Sequence, residues 1–475
     1  MVDLLIQRAK KQPHQVAYTF LQDGETEEVR LTYQELDQRA RAIAAYLQTF
    51  CQPEDRALLL HPSGLEFIEA LFGCLYSGVV AVPAYPPRRN QNMSRLQAIL
   101  KDVQATFVLT TQSFLSNIEI RLAENLELTG LYYIATDIIP TERSSSWQEP
   151  ELNSDSLALL QYTSGSTGDP KGVMLAHANI IHNSQAINQC FEDTPNSQGV
   201  SWLPPYHDMG LIGGILQPLY VGAPMVLMSP VDFLQKPIRW LQAISHYCAT
   251  TSGGPNFAYD LCINRISPEQ KARLDLSSWK VAFNGAEPIR AETLQRFSEA
   301  FAECGFRPAA FYPCYGMAET TLLVSGGVPS CEPVVRHVQA EALAQNQIIL
   351  LETPQKGART LVGCGRTVVE QDIIIVEPNS QVQCPPGQVG EIWVAGRNVA
   401  QGYWNRKAET QATFAAYLAD SRKGPYLRTG DLGFLDPEGE LFVTGRLKEV
   451  IIIRGRNFYP QDIEQIAEKS HPALR

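Results

Sequence analysis

A segment rich in hydroxyl groups and glycine, YTSGSTGDPKGV between Tyr162 and Val173, has the residue types that bind phosphate. Glycine lets the backbone approach a polyanion, successive N–H groups can form an anion-binding nest, and Lys171 adds a mobile positive charge. The segment is not a Walker P-loop, because Pro170 precedes the lysine and Gly172 follows it. A flexible surface loop would explain the small residues, but not an ordered hydroxyl run that ends in Pro-Lys-Gly. We therefore predict a phosphate-binding loop.

Two later motifs have residue types that suit a nucleotide base and a metal ion. The sequence FNGAEP, at residues 283–288, places small residues at the end of a predicted strand, where open α/β sheets bind flat ligands. An ordinary strand-to-helix turn is the alternative for that segment. In YPCYGMAETT, at 312–321, Tyr315 can stack on a base or simply pack in the core, and Glu319 offers Mg²⁺ a hard oxygen ligand.

Two short motifs nearer the C-terminus complete the set. YLRTGD, at 426–431, puts Asp431 directly after a glycine turn, where its carboxylate can accept hydrogen bonds from ribose hydroxyls. GRLKE, at 445–449, comes at the end of a predicted β-rich region. Each motif alone is also compatible with a simple turn. Their order behind the phosphate loop favours a common nucleotide site over coincidence.

The composition of the whole chain limits the classes of function. With 475 residues, 44% hydrophobic and 19% charged, the protein has the size of about three domains and a globular composition. Its net charge of −11 argues against a duplex nucleic-acid partner, which needs a basic surface. Ten cysteines without a Cys-x-x-Cys pair favour a reduced, cytoplasmic compartment. The apolar stretch 71–85 is too short to insert across a membrane, and the charged N-terminus is unlike a signal peptide.

The elements that must position these motifs indicate a layered α/β fold. From Arg56 to about Pro313, short apolar runs alternate with helical stretches, which predicts largely parallel sheets. Thr32 and Glu35 predict a capping box for a helix that ends at Leu47. The predicted strands are Ala57–Leu60, Val79–Val82, Thr106–Thr110, Leu131–Ala135, Leu157–Tyr162, Gly199–Trp202, Ala223–Leu227 and Lys280–Phe283.

The region after about Val362 has a different pattern. Strand-like runs there are separated by Pro-Gly and Asp-Pro-Glu-Gly turns with little helix, which predicts a small β-rich unit that ends near Gly445. The predicted strands are Asp372–Glu377, Val389–Val394, Gly433–Leu435 and Leu441–Thr444.

Taken together, the motifs YTSGSTGDPKG, NGAEP, YGMAE, YLRTGD and GRLKEVIIIRGRN resemble the adenylate-forming superfamily of acyl-CoA synthetases, luciferases and peptide-synthetase adenylation domains. The resemblance covers essentially the whole chain. Three further segments, WLPPYHDMGLIGG at 202–214, SGGPNFAYDLC at 252–262 and RGRNFYPQDIE at 454–464, are similar to the fatty acyl-AMP ligases. Those enzymes load fatty acids onto carrier proteins of polyketide and peptide synthases.

The length of one intervening segment supports the same subfamily. Gly365 follows Glu319 by 46 positions, more than we expect in an acyl-CoA synthetase. The extra stretch, about Cys331–Leu361, is similar in placement to the insertion that marks fatty acyl-AMP ligases. An unremarkable surface loop is the alternative, but the apolar run Ile348–Leu351 is expected to need burial.

One departure from the superfamily pattern concerns the α-phosphate. Most members have Thr before the glutamate of the aromatic-Gly motif, whereas this chain has Ala318 there and Thr320 after Glu319. The α-phosphate contact is therefore not assigned to residue 318. Asp208 lies close to where amino-acid-activating domains keep an aspartate for the α-amino group, but its neighbours, including His207, fit the fatty acid subfamily.

The resemblance implies the fold of an adenylate-forming N-terminal domain. Two packed α/β subdomains with largely parallel sheets would occupy residues 1–361, and a small β-rich, barrel-like subdomain residues 362–447. Lys448 falls at the family's hinge, and residues 448–475 would be the truncated start of a C-terminal domain. Because the chain ends 27 residues after Lys448, we expect most of that domain to be missing. The family's late lysine, which bridges carboxylate and α-phosphate, would be missing with it.

The resemblance also implies roles for individual residues. Lys171, His207 and Glu319 would be catalytic, with Glu319 binding Mg²⁺ and His207 lying between the acyl tunnel and the phosphate. The predicted nucleotide-binding residues are Thr163, Ser164, Gly165, Ser166, Thr167, Gly168, Lys171, Gly285, Ala286, Glu287, Tyr315, Gly316, Met317, Thr320, Asp431 and Arg446. The predicted acyl pocket comprises His207, Asp208, Met209, Gly210, Gly253, Gly254 and Phe257, where the glycines would make room for an alkyl chain.

The implied activity uses ATP and Mg²⁺ to convert a fatty acid to an acyl-adenylate with release of pyrophosphate. The acyl group would then pass to the phosphopantetheine thiol of an acyl carrier protein, in lipid, polyketide or lipopeptide biosynthesis. A fatty carboxylate is a poor nucleophile that the triphosphate repels, so catalysis must hold it in line with the α-phosphorus and neutralise charge. A fatty acyl-CoA synthetase is the alternative enzyme. An adenylate-binding module without turnover is the alternative from a different class.

Overall fold

The computed structural model describes residues 1–86, 93–116, 131–163, 170–453 and 456–460, together with 463, 464, 467 and 470. These residues form two compact units, each assembled from segments that are discontinuous in sequence. Unit 1 consists of Met1–Thr251, Ala318–Leu322 and Ala400–Lys407, and unit 2 of Ser252–Met317, Leu323–Val399 and Ala408–Arg475.

Unit 1 is built from alternating helices and strands, as the sequence predicts. Its strands are β1 (Val16–Leu21), β2 (Glu28–Thr32), β3 (Arg56–Leu59), β4 (Val80–Pro83), β5 (Phe107–Thr110), β6 (Tyr132–Ala135), β7 (Leu157–Tyr162), β8 (Gly172–Ala176), β9 (Gly199–Ser201) and β10 (Met225–Met228). Its helices are α1 (Val2–Lys11), α2 (Tyr33–Leu47), α3 (Leu65–Ser77), α4 (Ser94–Val103), α5 (His177–Phe191), α6 (Gln217–Val221), α7 (Pro230–Gln235) and α8 (Ile238–His246). A π-helix spans Met209–Leu216, and a 3₁₀ turn spans Thr141–Ser146.

The first sheet of unit 1 has the strand order β6-β5-β3-β4-β7-β8. Its pairs are parallel except for the β7–β8 hairpin. Every residue of β4 and β5 is buried, which is typical of parallel strands covered on both faces. A second group of strands has the order β9-β10-β1-β2, in which only β2 runs antiparallel. The largely parallel α/β fold is thereby confirmed.

Local sequence signals correctly place the start of α2. The Thr32 side chain accepts a hydrogen bond from the Glu35 amide, and the Glu35 carboxylate accepts from the Thr32 amide at 2.8 Å, so the predicted capping box is present. The observed helix ends at Leu47, as predicted. No helix in the described parts of the chain is long and apolar enough to cross a membrane.

Unit 2 combines a row of strands that has both parallel and antiparallel pairs with smaller antiparallel sheets. Its strands are β11 (Thr251–Gly254, the first residue belonging to unit 1), β12 (Val281–Asn284), β13 (Phe311–Gly316), β14 (Leu323–Gly326), β15 (Val335–Gln339), β16 (Leu350–Leu351), β17 (Ala358–Val362), β18 (Arg366–Thr367), β19 (Gln371–Val376), β20 (Gly390–Gly396), β21 (Leu427–Leu435), β22 (Leu441–Arg446), β23 (Ile451–Ile453) and β24 (Arg456–Phe458). Its helices are α9 (Asn256–Arg265), α10 (Pro268–Lys271), α11 (Ala291–Phe301), α12 (Ala340–Leu343) and α13 (Lys407–Phe414, the first residue belonging to unit 1), and 3₁₀ turns span Ala302–Cys304 and Pro308–Ala310.

The β-rich region predicted after residue 362 is a four-stranded antiparallel sheet with the order β19-β20-β21-β22. Its strands lie within a few residues of the predicted ones, and β21 begins earlier than expected because LRTGD, at 427–431, belongs to the strand. A separate row of strands has the order β18-β14-β13-β12-β11, and β23 pairs with β24. This small antiparallel sheet beside parallel α/β layers confirms the predicted fold class.

The predicted insertion folds into the three-stranded antiparallel sheet β16-β15-β17 with the short helix α12. Val338, Leu343 and Leu361 are its buried side chains, and they share a core with Phe434 and Tyr459. The expected burial of the apolar run 348–351 is wrong for its central residues, since the structure leaves side chains 349 and 350 half exposed. They lie at an edge strand, whereas β15 at the centre of the sheet supplies the buried valine.

Candidate active site

The predicted phosphate loop joins the antiparallel strands β7 and β8. Pairing places Tyr162 opposite Gly172, and the Thr163 amide donates to the Lys171 carbonyl at 3.1 Å, so the loop begins and ends at a closed hairpin. A Cβ atom at residue 172 would lie 2.9 Å from the Tyr162 ring, so glycine avoids a clash there. Five predicted phosphate-binding residues lie outside the described part of the chain: Ser164, Gly165, Ser166, Thr167 and Gly168.

Helix α4 anchors the start of this loop. The Tyr162 hydroxyl donates to Asp102 Oδ2 at 2.7 Å, and Arg95 Nη2 donates to the Thr163 carbonyl at 3.2 Å. Burial and the neighbouring Asp102 carboxylate raise the pKa of Tyr162, so its hydroxyl remains a donor. Sequence reasoning did not find Asp102 or Arg95, because nothing in the local pattern of α4 points to the loop.

Lys171 and Glu319 are brought to the same aromatic side chain. Lys171 Nζ lies 4.9 Å from the centroid of the Tyr403 ring, and the Tyr403 hydroxyl donates to Glu319 Oε1 at 2.8 Å. Both Glu319 and Tyr403 are buried. The adjacent Thr320 is fully buried, and its carbonyl accepts from Asn183 Nδ2 at 3.5 Å. No sequence motif indicated Tyr403, which contacts Lys171 and Glu319, two of the three predicted catalytic residues.

The surroundings of Glu319 are compatible with a Mg²⁺ ion. The described residues contain no group of three or more His, Cys, Asp or Glu side chains that could hold a metal by themselves. Mg²⁺ is usually held by one or two carboxylates together with substrate phosphates rather than by an all-protein cage. One buried carboxylate that shares an aromatic neighbour with the phosphate-loop lysine suits this kind of site.

His207 and Asp208 form an ion pair at the start of the π-helix. His207 Nδ1 lies 2.5 Å from Asp208 Oδ1, which also accepts from the Met209 amide at 2.7 Å. The hydrogen bond to Asp208 raises the pKa of His207, so more of the imidazole is cationic near neutral pH. A Cβ atom at Gly210 would lie 2.1 Å from the Pro204 carbonyl oxygen, so backbone packing requires this glycine.

In unit 2, the predicted adenine residues form a strained turn after β12. Ala286 has φ 67°, a left-handed conformation that is uncommon for residues other than glycine. A Cβ atom at Gly285 would lie 3.0 Å from the Cys314 carbonyl oxygen on β13. Glu287 Oε1 accepts from the Phe257 amide at 2.6 Å, which ties the turn to the first residues of α9.

The predicted ribose residues meet in the β-rich part of unit 2. The β21–β22 ladder places Asp431 opposite Arg446, with Arg446 Nε 3.3 Å from Asp431 Oδ1. The Tyr315 hydroxyl donates to Asp431 Oδ2 at 2.7 Å. Burial raises the pKa of Asp431, while Tyr315 and Arg446 oppose that shift. Tyr315 is thus both a buried residue and a partner of the predicted ribose carboxylate.

A buried carboxylate that no sequence motif indicated supports the part of β21 before Asp431. Glu391 Oε2 accepts from Arg428 Nη2 at 2.7 Å, from Arg428 Nε at 3.0 Å and from Trp393 Nε1 at 2.9 Å. Glu391 Oε1 accepts from the Gly430 amide at 3.2 Å. Glu391 therefore holds both ends of the Arg428–Gly430 segment of β21, which leads into Asp431.

The remaining predicted residues belong to the acyl pocket and the hinge, and their surroundings differ from one another. A Cβ atom at Gly253 would lie 2.2 Å from the Phe283 carbonyl oxygen, so packing of β11 on β12 requires this glycine as well. Gly254 ends β11, the Phe257 side chain is 43% exposed, and Lys448 is exposed just after β22.

The two units divide the described site residues between them. Unit 1 holds Thr163, Lys171, His207, Asp208, Met209, Gly210, Glu319 and Thr320, and unit 2 holds Gly253, Gly254, Phe257, Gly285, Ala286, Glu287, Tyr315, Gly316, Met317, Asp431, Arg446 and Lys448.

Comparison with known proteins assigns the family. The AMP-binding enzyme family matches residues 5–404 of the chain. The chain belongs to this family. Membership makes the protein an ATP-dependent ligase of the acid-thiol type and agrees with the nucleotide motifs described above.

Relatives of this AMP-binding enzyme confirm its resemblance to fatty acyl-AMP ligases. It is 52% identical to JamA of Moorena producens (strain JHB), a medium-chain-fatty-acid–[acyl-carrier-protein] ligase, over 100% of this chain and 81% of the relative. It is 38% identical to TtuA of Teredinibacter turnerae, also a medium-chain-fatty-acid–[acyl-carrier-protein] ligase, over 98% of this chain and 79% of the relative. A fatty acyl-adenylate ligase from L. pneumophila, crystallised with acyl adenylate and pyrophosphate, superposes with a TM-score of 0.89 at 45% identity, covering 99% of this chain and 81% of that one.

Proposed function

We propose that this protein activates a fatty acid with ATP and passes the acyl group to the phosphopantetheine thiol of an acyl carrier protein. The observation that carries the proposal is the pair of predicted phosphate and metal residues, Lys171 and Glu319, on one buried tyrosine in a chain of the AMP-binding family. The names of the relatives, which are fatty-acid–[acyl-carrier-protein] ligases, support the choice of acid and acceptor.

In the first half-reaction, a carboxylate oxygen of the fatty acid attacks the α-phosphorus of ATP. The bond from that phosphorus to the bridging oxygen of the β-phosphate breaks, and pyrophosphate leaves. We assign the β- and γ-phosphates to the loop Thr163–Gly168 and to Lys171, which neutralise charge that would otherwise repel the carboxylate. Glu319 would hold a Mg²⁺ ion, which when bound shields the phosphate charge.

The base and the ribose are assigned to residues of unit 2. The turn Gly285–Glu287 and the Tyr315 ring would hold adenine, and Asp431 with Arg446 would bind the ribose hydroxyls. The left-handed residue 286 supports a specialised role for the turn, since such strain usually persists where a site needs it. The buried position of Asp431 supports the ribose role, because a carboxylate shielded from water forms stronger hydrogen bonds.

For the acyl side, we assign His207, Asp208, Met209, Gly210, Gly253, Gly254 and Phe257 to the tunnel. The Asp208 pair favours the cationic form of His207, which suits a group that faces a carboxylate and a phosphate. In the second half-reaction the carrier's thiolate attacks the acyl carbon, the bond to the AMP oxygen breaks, and AMP leaves.

We also propose a cytoplasmic location and the domain division 1–361, 362–447 and 448–475, with Lys448 as the hinge. The ten cysteines are all free thiols, which suits a reducing compartment. The boundary near residue 362 is supported by the start of the four-stranded sheet at β19.

The test is a mass-spectrometric screen of fatty acids with ATP for acyl-AMP, followed by a choice of acceptor. We expect acyl-AMP and pyrophosphate to appear with a medium or long acid. We also expect acyl transfer to a holo carrier protein to exceed acyl-CoA formation from free coenzyme A. Binding of ATP without any pyrophosphate release would contradict the enzyme proposal, and efficient acyl-CoA synthesis would favour a fatty acyl-CoA synthetase.

A further inference from the structure

We propose that Tyr403 is a positioning residue that sets the geometry of two charged groups at once. Its hydroxyl fixes the Glu319 carboxylate, and its ring holds the Lys171 ammonium until phosphate binds. The inference rests on the proposed roles of Lys171 and Glu319. It adds a residue that belongs to neither of their motifs.

The backbone around Tyr403 is fastened to both of the elements it would position. The Met174 amide donates to the Gly402 carbonyl at 2.9 Å, and the Trp404 amide donates to the Gly172 carbonyl at 2.8 Å. Residue 403 also forms a bridge with Val173. The segment therefore runs as an extra antiparallel strand along β8, directly after the phosphate loop.

The same segment is fastened to Glu319. The Ala400 amide donates to the Glu319 carbonyl at 2.9 Å, and three residues later the Tyr403 hydroxyl reaches the Glu319 side chain. One short stretch thus fixes both the backbone and the carboxylate of Glu319. Because a tyrosine hydroxyl donates in one direction, the contact selects one orientation of the carboxylate.

The ring of Tyr403 makes the second contact. Lys171 Nζ lies 4.9 Å from the ring centroid, inside the range in which an ammonium is attracted to an aromatic face. A phosphate forms a stronger, charge-assisted contact with lysine than a ring does. The ring therefore keeps Lys171 beside the loop in the nucleotide-free protein and releases it when a triphosphate arrives.

Unit 2 contains a similar trio that serves as an internal control. Lys423 Nζ lies 5.7 Å from the Tyr426 ring centroid, and the Tyr426 hydroxyl donates to Asp372 Oδ2 at 2.7 Å. The arrangement of cation, tyrosine and carboxylate is therefore compatible with a purely structural role. What distinguishes Tyr403 is that its two partners are the proposed phosphate and metal residues.

The test compares Y403F, which keeps the ring and loses the hydroxyl, with Y403L, which loses both, and with the matched control Y426F. Calorimetry of ATP binding is carried out over a series of Mg²⁺ concentrations and also without Mg²⁺. We expect Y403F to raise the Mg²⁺ concentration for half-maximal ATP binding about tenfold, because a hydrogen bond to a charged group is lost. Its Mg²⁺-free affinity for ATP should stay within about twofold of that of the unmodified protein. Y403L should weaken that affinity as well, and Y426F should change neither.

A second measurement needs no variant that disturbs packing. The side-chain protons of Lys171, assigned by comparison with K171R, should show an upfield NMR ring-current shift in the nucleotide-free protein. Addition of ATP should remove that shift. A Lys171 signal without ring-current shift would overturn the ring half of the inference, even if Y403L fails to fold.

Two reference variants separate this inference from the proposed function. If E319Q changes the Mg²⁺ dependence and Y403F does not, the hydroxyl half of the inference is wrong while the proposed role of Glu319 stands. If K171A and E319Q both bind nucleotide like the unmodified protein, the proposed roles of Lys171 and Glu319 are themselves wrong.

Discussion

The predicted phosphate residue of unit 1 and the predicted ribose residue of unit 2 have different surroundings. In unit 1, Lys171 is a long side chain after a loop, and its ammonium lies over the face of an aromatic ring. In unit 2, Asp431 lies within a β ladder, between Arg446 across the ladder and the Tyr315 hydroxyl. The buried Glu391 holds the part of β21 in front of it. Under the proposed function, phosphate meets a long lysine side chain that follows a loop, whereas ribose meets a carboxylate held within a β ladder.

The largest expected effect is on the phosphate side. We expect K171A to lower ATP affinity or acyl-AMP formation about a hundredfold, because a charge-assisted contact to phosphate is lost without replacement. Pyrophosphate release is the measurement. K423A, whose lysine also lies over a tyrosine ring, is the matched control and should behave like the unmodified protein. Unchanged pyrophosphate release in K171A would remove Lys171 from the site.

A smaller effect is expected on the ribose side. D431N keeps the shape of the side chain but weakens acceptance from two hydroxyls, so we expect acyl-AMP to bind about tenfold more weakly. Little folding stability should be lost. Titration with ATP and its 2′,3′-dideoxy analogue provides the check, and equal affinity of the unmodified protein for the two nucleotides would refute the ribose role.

The same variant gives a pH prediction with a definite sign. Burial raises the pKa of Asp431 above its unfolded value, so its contribution to stability is present below the unfolded pKa and is lost as pH rises through the folded pKa. The charge is thus a cost at neutral pH that asparagine does not carry. We expect the melting temperature of D431N relative to the unmodified protein to be higher at pH 7 than at pH 4. The opposite trend would show that Tyr315 and Arg446 outweigh burial.

A change one step away from the ribose should have a weaker effect on binding. E391Q keeps the volume of the side chain but loses the charge that pairs with Arg428, so the part of β21 before Asp431 should loosen. We expect the ratio of affinities for ATP and its dideoxy analogue to fall by about threefold, a readout that a general loss of stability would not move. The surface variant E438Q is a control for loss of a single carboxylate. A preserved ratio would show that the ladder alone holds Asp431.

The smallest expected effect concerns the insertion, where contacts in the structure allow a more specific test than a deletion. By resemblance, we expect the insertion to restrain rotation about Lys448 and so to limit acyl-CoA formation. Deleting about 333–358 would remove β15 and β16 from a shared core, so point variants are better tests. The Asn457 side chain donates to Asn346 at 2.8 Å, and the Arg359 guanidinium lies 4.9 Å from the Tyr459 ring.

We expect N346A together with R359A to raise acyl-CoA output a few-fold relative to carrier acylation. I349A, at a half-exposed position of the insertion, is the control and should leave the ratio of products unchanged. Unaltered product ratios in the double variant would argue against restraint by these contacts.

The sequence predicted most of the fold because its signals were local. The capping box at Thr32 places the start of α2, and the short apolar runs between Arg56 and Phe283 lie within two residues of observed strands. Burial inside the insertion was harder to predict. Residues 349 and 350 are as apolar as Val338, but they flank or occupy an edge strand while Val338 faces the core. Hydropathy alone does not distinguish the edge of a sheet from its centre.

The candidate site shows the same limit. Motif spacing identified Lys171, Glu319 and Asp431 from their chemistry, but it did not find the residues that hold them. Tyr403 and Glu319 are 84 positions apart. Tyr403 follows a predicted strand in the ordinary-looking sequence QGYWN, so nothing local marks it as a partner of a carboxylate.

By itself, the sequence predicted which chemistry the chain carries: a phosphate loop, a metal-binding carboxylate, a base-binding turn and a ribose acceptor. These depend on residue type and on spacing within a few positions, which the chain carries directly. Only the tertiary structure decided the partners, such as Tyr315 for Asp431, 116 positions away, and Glu391 for Arg428, 37 positions away. Such pairs arise where the fold brings distant strands and turns together, and a hydrogen bond depends on that distance in space rather than on separation along the chain.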